Sequence, residues 1–246
     1  MTAARTSPRD RYREQTRAEI KAIALRQLAE GGAGAVALTR IAREVGLSGP
    51  ALYRYFANRD DLLSSLIQDA YDDAATAVGS VGDQLPPSPR TSLRLLADAY
   101  LGWAAAQPHR YLLIQGSPLP GYSAPADTTA RARAVLGPFL QVFATGEPDE
   151  EVRPLVAELA AWAQEDEAAA AWLREYTGLE PEDDRAATAL AGAVLAWSQL
   201  HGTVSLEVSG QYAGMGHRAR TLLTCQMSTL AAAFRLPDDW PERATG

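Results

Sequence analysis

Gly46 constrains this chain most, because of what flanks it in LTRIAREVGLSGPALYRYF, residues 38–56. Ile41, Ala42 and Val45 share the inner face of a short helix, and Ala42 is small enough for a second helix to cross close by. Four residues on, Gly46 can take the left-handed backbone that ends such a helix at no steric cost. Leu47 then enters the core from the turn. Ser48 caps a second helix, and Pro50 falls in its first turn, where a missing N–H is harmless. Leu52 and Phe56 face inward, leaving Gly49, Pro50, Ala51, Tyr53, Arg54 and Tyr55 on or near the outer face. The spacing therefore predicts two short helices joined by a tight turn. A short, rigid helix of this kind suits insertion into a DNA major groove, its first residues near base edges and its hydroxyls and cations near phosphates. The alternative packs Tyr53 and Tyr55 against the first helix, a face that Leu52 and Phe56 already fill. For Arg54, phosphate binding and a surface ion pair stay evenly balanced.

Upstream, Tyr12 to Glu30 reads as one amphipathic helix, with Ile20, Ile23, Ala24 and Leu28 on a stripe and Gly31-Gly32 as its stop. Arg5, Arg9, Arg11 and Arg13 precede or open it, either as a basic arm that touches phosphates or the minor groove or as a solvated tail. Charge is distributed unevenly: residues 1–60 hold 11 Lys+Arg against 6 Asp+Glu, net +5, and residues 61–246 hold 12 against 24, net −12. The overall charge of −7 thus combines a head suited to a polyanion with an acidic body that repels one.

Together with ANRDDLL (residues 57–63), the segment resembles the TetR family of regulators. The pattern A-x3-G-[LIV]-S, L-Y-x-[YH]-F and N-[KR]-x-x-L is filled by Ala42, Gly46, Leu47, Ser48, Leu52, Tyr53, Tyr55, Phe56, Asn58, Arg59 and Leu62. The resemblance implies a DNA-facing set: Ser48, Gly49, Pro50 and Ala51 at the start of the second helix, Tyr53 on backbone or base, Tyr55 and Arg59 on phosphate, and Thr39 from the first helix. Two positions depart from the family pattern. Ala37 stands where relatives carry a Ser/Thr cap, and Thr39 where many carry a base-reading Arg, with Arg40 or Arg43 as the candidates to compensate.

The rest of the chain reads as helices separated by short Pro/Gly breaks, so the fold class is all-α: a three-helix helix-turn-helix domain over 1–60 and an antiparallel helical bundle over 61–246. Asp60 is placed to cap a helix running to about Val78. Further patterns span Ser92–Gln107, a short piece through Tyr111 and Ile114, a Pro/Gly-rich loop at 116–125, and then 127–145, 149–164, 166–177, 182–208 and 215–235. Trp197, His201 and Gly202 form W-x3-H-G, which with HRYLLIQGSP resembles the effector domains of a TetR subgroup named for Trp, His and Gly. Trp197 and His201, four apart, share a helical face. One reading lines a ligand cavity with Tyr100, Trp103, Tyr111, Tyr122, Trp197 and His201, the imidazole as its polar anchor. The other is a packed core with a hydrogen-bonded histidine. By family resemblance the last two long helices build the dimer interface, which makes Leu195, Leu206, Leu222, Leu223, Leu230 and Phe234 interface or core.

Chemistry of other classes finds no footing. The residues three before His109, His201 and His217 are Ala106, Ser198 and Gly214, so the Glu-x-x-His pairs of a di-iron bundle enzyme are absent, as are H-E-x-x-H, G-x-S-x-G, Walker and G-x-G-x-x-G patterns. No metal, cofactor or catalysis is expected. A single cysteine, Cys225, excludes an intrachain disulfide, and no apolar run approaches the roughly 18 residues of a membrane span. The expectation is a cytoplasmic homodimer on a double-stranded, pseudo-palindromic operator, released by a small apolar or aromatic effector, with no membrane partner. A DNA-binding regulator without an effector is the principal alternative, and repression or activation stays open.

Overall fold

The computed structural model describes residues 7–82, 88–115, 122, 125 and 127–239. Eleven α-helices order the described residues, with no strand among them: α1 (Pro8–Gly31), α2 (Leu38–Val45), α3 (Gly49–Leu52), α4 (Arg59–Gly82), α5 (Pro89–Ala106), α6 (Pro108–Gln115), α7 (Thr128–Phe143), α8 (Arg153–Glu165), α9 (Glu167–Thr177), α10 (Asp184–Val208) and α11 (Ala219–Ala233). They form two compact units, one of Met1–Ala70 with His109–Ala126, the other of Tyr71–Pro108 with Asp127–Gly246. The predicted loop at 116–125 lies outside the described residues except for Tyr122 and Pro125.

In the first unit, Ile20, Ile41, Leu52, Phe56, Leu62 and Leu63 are almost wholly buried in one cluster, which draws the start of α4 into the core of the head. α1 begins four residues earlier than the periodicity predicts. Ser7 accepts the Asp10 N–H at 3.2 Å and Pro8 occupies the first turn, so the cap precedes the apolar stripe. Arg9, Arg11 and Arg13 therefore stand on a helix rather than on an arm or tail, and Arg5 lies outside the described residues. α4 begins at Arg59, and its cap is Asn58 rather than Asp60: the Asn58 carboxamide accepts the Asp61 N–H at 2.8 Å, and the Asp61 carboxylate accepts the Ala57 N–H at 2.8 Å. The two side chains satisfy donors reciprocally, as in a capping box.

In the second unit α10 packs against α5, α7, α8 and α11. Every residue from Ala186 to Ala193 is buried, a run of mostly small side chains that lets neighbouring helices approach closely. At the tightest point Gly192 lies under Phe143, where an added Cβ would stand 2.1 Å from Cγ of that ring. α8 and α9 break at Asp166, whose carboxylate caps α9 by accepting the Ala168 and Ala169 N–H groups at 2.8 and 3.0 Å. Those two backbone bonds, with the carboxylate's other interactions, hold Asp166 below the usual carboxylate range.

Candidate nucleic-acid interface and effector face

The turn between α2 and α3 forms as the residue types dictate. Gly46 sits at φ 75°, ψ 23° and ends α2, and the Leu47 N–H bonds back to the Ala42 carbonyl at 2.8 Å. Ser48 caps α3 through the Ala51 N–H at 3.4 Å. Ala37 supplies no side-chain cap to α2. Instead the buried Gln27 of α1 accepts the Ala37 N–H at 2.9 Å, fixing the entry to α2 from outside it.

α3 is a single turn. Beyond Leu52 the chain tightens into i→i+3 bonds, from the Arg54 N–H to Ala51 at 3.3 Å and from the Tyr55 N–H to Leu52 at 2.8 Å. The consequence is a blunt projection. Ser48, Gly49 and Pro50 are exposed, Ala51 is half-buried, and Tyr53 stands 54% exposed with its ring free of the core. Tyr55 is half-buried against the head core. Thr39 is exposed on α2.

The cations of the head fall into two sets that sequence alone did not separate. Arg17 lies over the Phe56 ring at 4.1 Å and donates to the Tyr55 carbonyl at 2.9 Å, Lys21 pairs with Asp69 at 2.8 Å, and Arg26 pairs with Glu44 at 3.2 Å. Arg40 is held by Glu30 at 3.0 Å and Glu44 at 3.2 Å, and those carboxylates push its pKa up. Arg59 donates to the Val36 carbonyl at 3.1 Å and to the Ala33 carbonyl. By contrast the side chains of Arg9, Arg11, Arg13, Arg43 and Arg54 are exposed and make no ion pair or hydrogen bond with any described residue. The i,i+4 spacing of Arg40 and Glu44 is the one local signal that could have found a member of the paired set.

The predicted effector residues divide between the units. Tyr111 is fully buried in the first, where the Tyr122 hydroxyl also meets Ser64 Oγ at 2.9 Å. In the second, α5 and α10 bring Tyr100, Trp103, Trp197 and His201 into one aromatic run: ring centroids lie 5.7 Å apart for Tyr100–Trp103, 5.6 Å for Tyr100–Trp197 and 5.3 Å for Trp197–His201. Tyr100 is only 1% exposed. Burial holds the His201 pKa below its ordinary value. On α10 and α11, Leu223, Leu230 and Phe234 are core, Leu195 and Leu222 are half-buried, and Leu206 is 41% exposed.

An exposed one-turn helix flanked by unpaired cations, on a helix-turn-helix ahead of a helical body, defines a DNA-binding regulator of transcription. Residues 20–66 match the family model described as bacterial regulatory proteins, tetR family, and residues 93–230 match the tetracyclin repressor-like C-terminal domain. The chain is 38% identical over 210 residues to the HTH-type transcriptional regulators Rv1816 of Mycobacterium tuberculosis and Mb1846 of Mycobacterium bovis, covering 85% of this chain and 87% of each relative. It superposes on the crystal structure of a regulatory protein, SCO4313, with a TM-score of 0.74, 36% identity and coverage of 92% of this chain and 100% of the other. FadR of Bacillus subtilis, solved with stearoyl-CoA, shares the fold at a TM-score of 0.52 and 16% identity, over 88% of this chain and 98% of FadR. This chain belongs to the TetR family of DNA-binding transcriptional regulators. No helix among the described residues is long and apolar enough to cross a membrane.

Proposed function

We propose that this regulator is a ligand-responsive repressor acting in the cytoplasm. Residues 1–60 read DNA and residues 61–246 sense and dimerise. Each protomer of a homodimer lays Gly49–Tyr55 in one major groove of a pseudo-palindromic operator. The observation that carries the DNA placement is the bare Tyr53 ring beside the unpaired Arg54 at the end of α3. Thr39, Ser48, Pro50 and Ala51 border the same projection. Arg40 and Arg59 act through the head's own carboxylates and carbonyls and set the posture of that surface.

Dimerisation through α10 and α11 is supported by the character of their outer faces. Ser198, Gly202 and Leu206 on α10, and Cys225, Thr229 and Ala232 on α11, are solvent-facing, uncharged and small apart from Leu206. Surfaces depleted of charge are what a subunit interface requires.

Sensing is supported by the Tyr100–Trp103–Trp197–His201 run, which joins aromatic walls to an imidazole and includes the Trp and His of the Trp-His-Gly motif of the resembled subgroup. FadR, which shares the fold, was solved in complex with stearoyl-CoA, and that motivates the inclusion of acyl-CoA thioesters among the compounds to test. A second reading, a regulator without a small-molecule effector, is favoured by the near-complete burial of Tyr100 and Trp103, whose rings pack on one another. Thermal melts with a panel of aromatic acids and acyl-CoA thioesters, each followed by a DNA-release assay, decide between them. A compound that raises Tm and releases DNA supports sensing. A full panel with neither effect supports the second reading.

A further inference from the structure

Between the start of α1 and the turn after α3 the first unit holds a cleft of about 460 Å³, lined by Arg9, Asp10, Tyr12, Arg13, Arg54 and Tyr55. None of its three guanidiniums has an ion-pair partner among the described residues. Arg9 and Arg13 are also four apart on one helical face, where like charges repel. Such an arrangement is unfavourable until an anion arrives. The only carboxylate in the lining is Asp10, whose oxygen accepts the Ser7 hydroxyl at 2.7 Å, so the cleft has a net charge of +2. Tyr12, 67% exposed, adds a hydroxyl at the rim.

We infer that Arg9, Arg13 and Arg54 form a phosphate clamp that grips the DNA backbone beside the groove entered by α3. The inference rests on the placement of Gly49–Tyr55 in the major groove proposed above. Arg54 belongs both to the cleft and to the chain end of the recognition turn, so a strand passing the turn is delivered to the cleft. The ligand is a backbone phosphodiester: three fork-shaped donors and two phenols match its oxygens, and no base edge is needed. The clamp therefore adds affinity equally on every sequence, and specificity stays with α3.

The test measures binding of the full chain to a fluorescein-labelled 24-base-pair duplex of mixed sequence over a range of salt, because each phosphate released lowers the slope of log K against log [salt] by about 0.9. Arg9→Ala with Arg13→Ala is expected to lower the slope by about 0.9 per cleft, and Arg9→Lys with Arg13→Lys to restore most of it. Arg11→Ala is the control: it removes one positive charge from the same helix outside the cleft and is expected to leave the slope near wild type. Asp10→Asn is expected to tighten binding. The clamp is overturned if the double alanine variant shows the same slope as Arg11→Ala while melting like wild type. The placement of α3 is tested separately by Tyr53→Ala, which is expected to lose discrimination between a selected site and the mixed duplex with the slope intact. A wild-type chain that binds neither duplex would overturn both.

Discussion

Arg59 reaches back 23 residues and donates its Nε–H to the Val36 carbonyl at 3.1 Å, with a second bond from its guanidinium to the Ala33 carbonyl. The first residue of α4 thus holds the chain that leads into α2. Hydrogen bonds from charged donors to buried acceptors are worth about 1.5–3 kcal/mol each, less at a part-exposed site. Arg59→Ala is expected to destabilise the first unit by about 1–2 kcal/mol, read as a lower Tm of the full chain. DNA affinity should fall through disorder of the head, with little change in the salt slope.

Gly46 occupies the left-handed region at φ 75° with open space around the position of a Cβ. Replacement by Ala therefore meets no steric neighbour and costs only the backbone term, about 1–2 kcal/mol. Urea unfolding is expected to show that loss, and specific DNA binding is expected to weaken as the angle between α2 and α3 shifts.

At Gly192 the limitation is space. An added Cβ falls 2.1 Å from Phe143 Cγ, between α10 and α7, and the Phe143 ring is itself packed edge-on to Phe234 at 5.0 Å. Gly192→Ala is expected to cost about 3 kcal/mol or more, because the ring has no free volume to retreat into. A substantially lower Tm checks this, whereas Gly102→Ala, on the exposed face of α5, is expected to leave Tm nearly unchanged.

His201 carries a pH signature. Burial lowers its folded pKa below 6.5, so the unfolded chain binds the proton more readily. Its contribution to stability is complete above pH 6.5 and is lost as pH falls from there toward the depressed folded value. The Tm advantage of wild type over His201→Gln is expected to be larger at pH 7.5 than at pH 5.5, measured by circular dichroism. An equal difference at both values would show an ordinary, solvent-like imidazole.

The parts of this molecule legible in its sequence are those set by local chemistry. The Ala42–Gly46–Leu47–Ser48 run specifies its turn because each residue satisfies a short-range requirement, and the all-helical class follows from periodicity. Two things escaped local reading. Helix starts shifted where a cap lay outside the apolar stripe, as with Ser7 and Asn58. The partners of the head's arginines also depended on long-range packing: Arg59 and Arg17 are drawn to carbonyls 23 and 38 residues distant, while Arg9 and Arg13 remain bare. Charge counted along the chain does not distinguish these cases, and the folded head does.

Sequence reading by the exposed turn of α3, with Tyr53 at its end, is the proposal on which the DNA-binding role of this chain's head depends. The most direct measurement selects duplexes from a random-sequence pool with the full chain and compares wild type with Tyr53→Ala on the recovered site. The recovered site is expected to be a pseudo-palindrome with half-sites centred about one or a small whole number of helical turns apart. Tyr53→Ala is expected to abolish enrichment while leaving Tm and weak binding to mixed-sequence DNA in place. A pool that yields no enriched sequence, or a Tyr53→Ala variant that enriches the same site as wild type, would contradict that proposal.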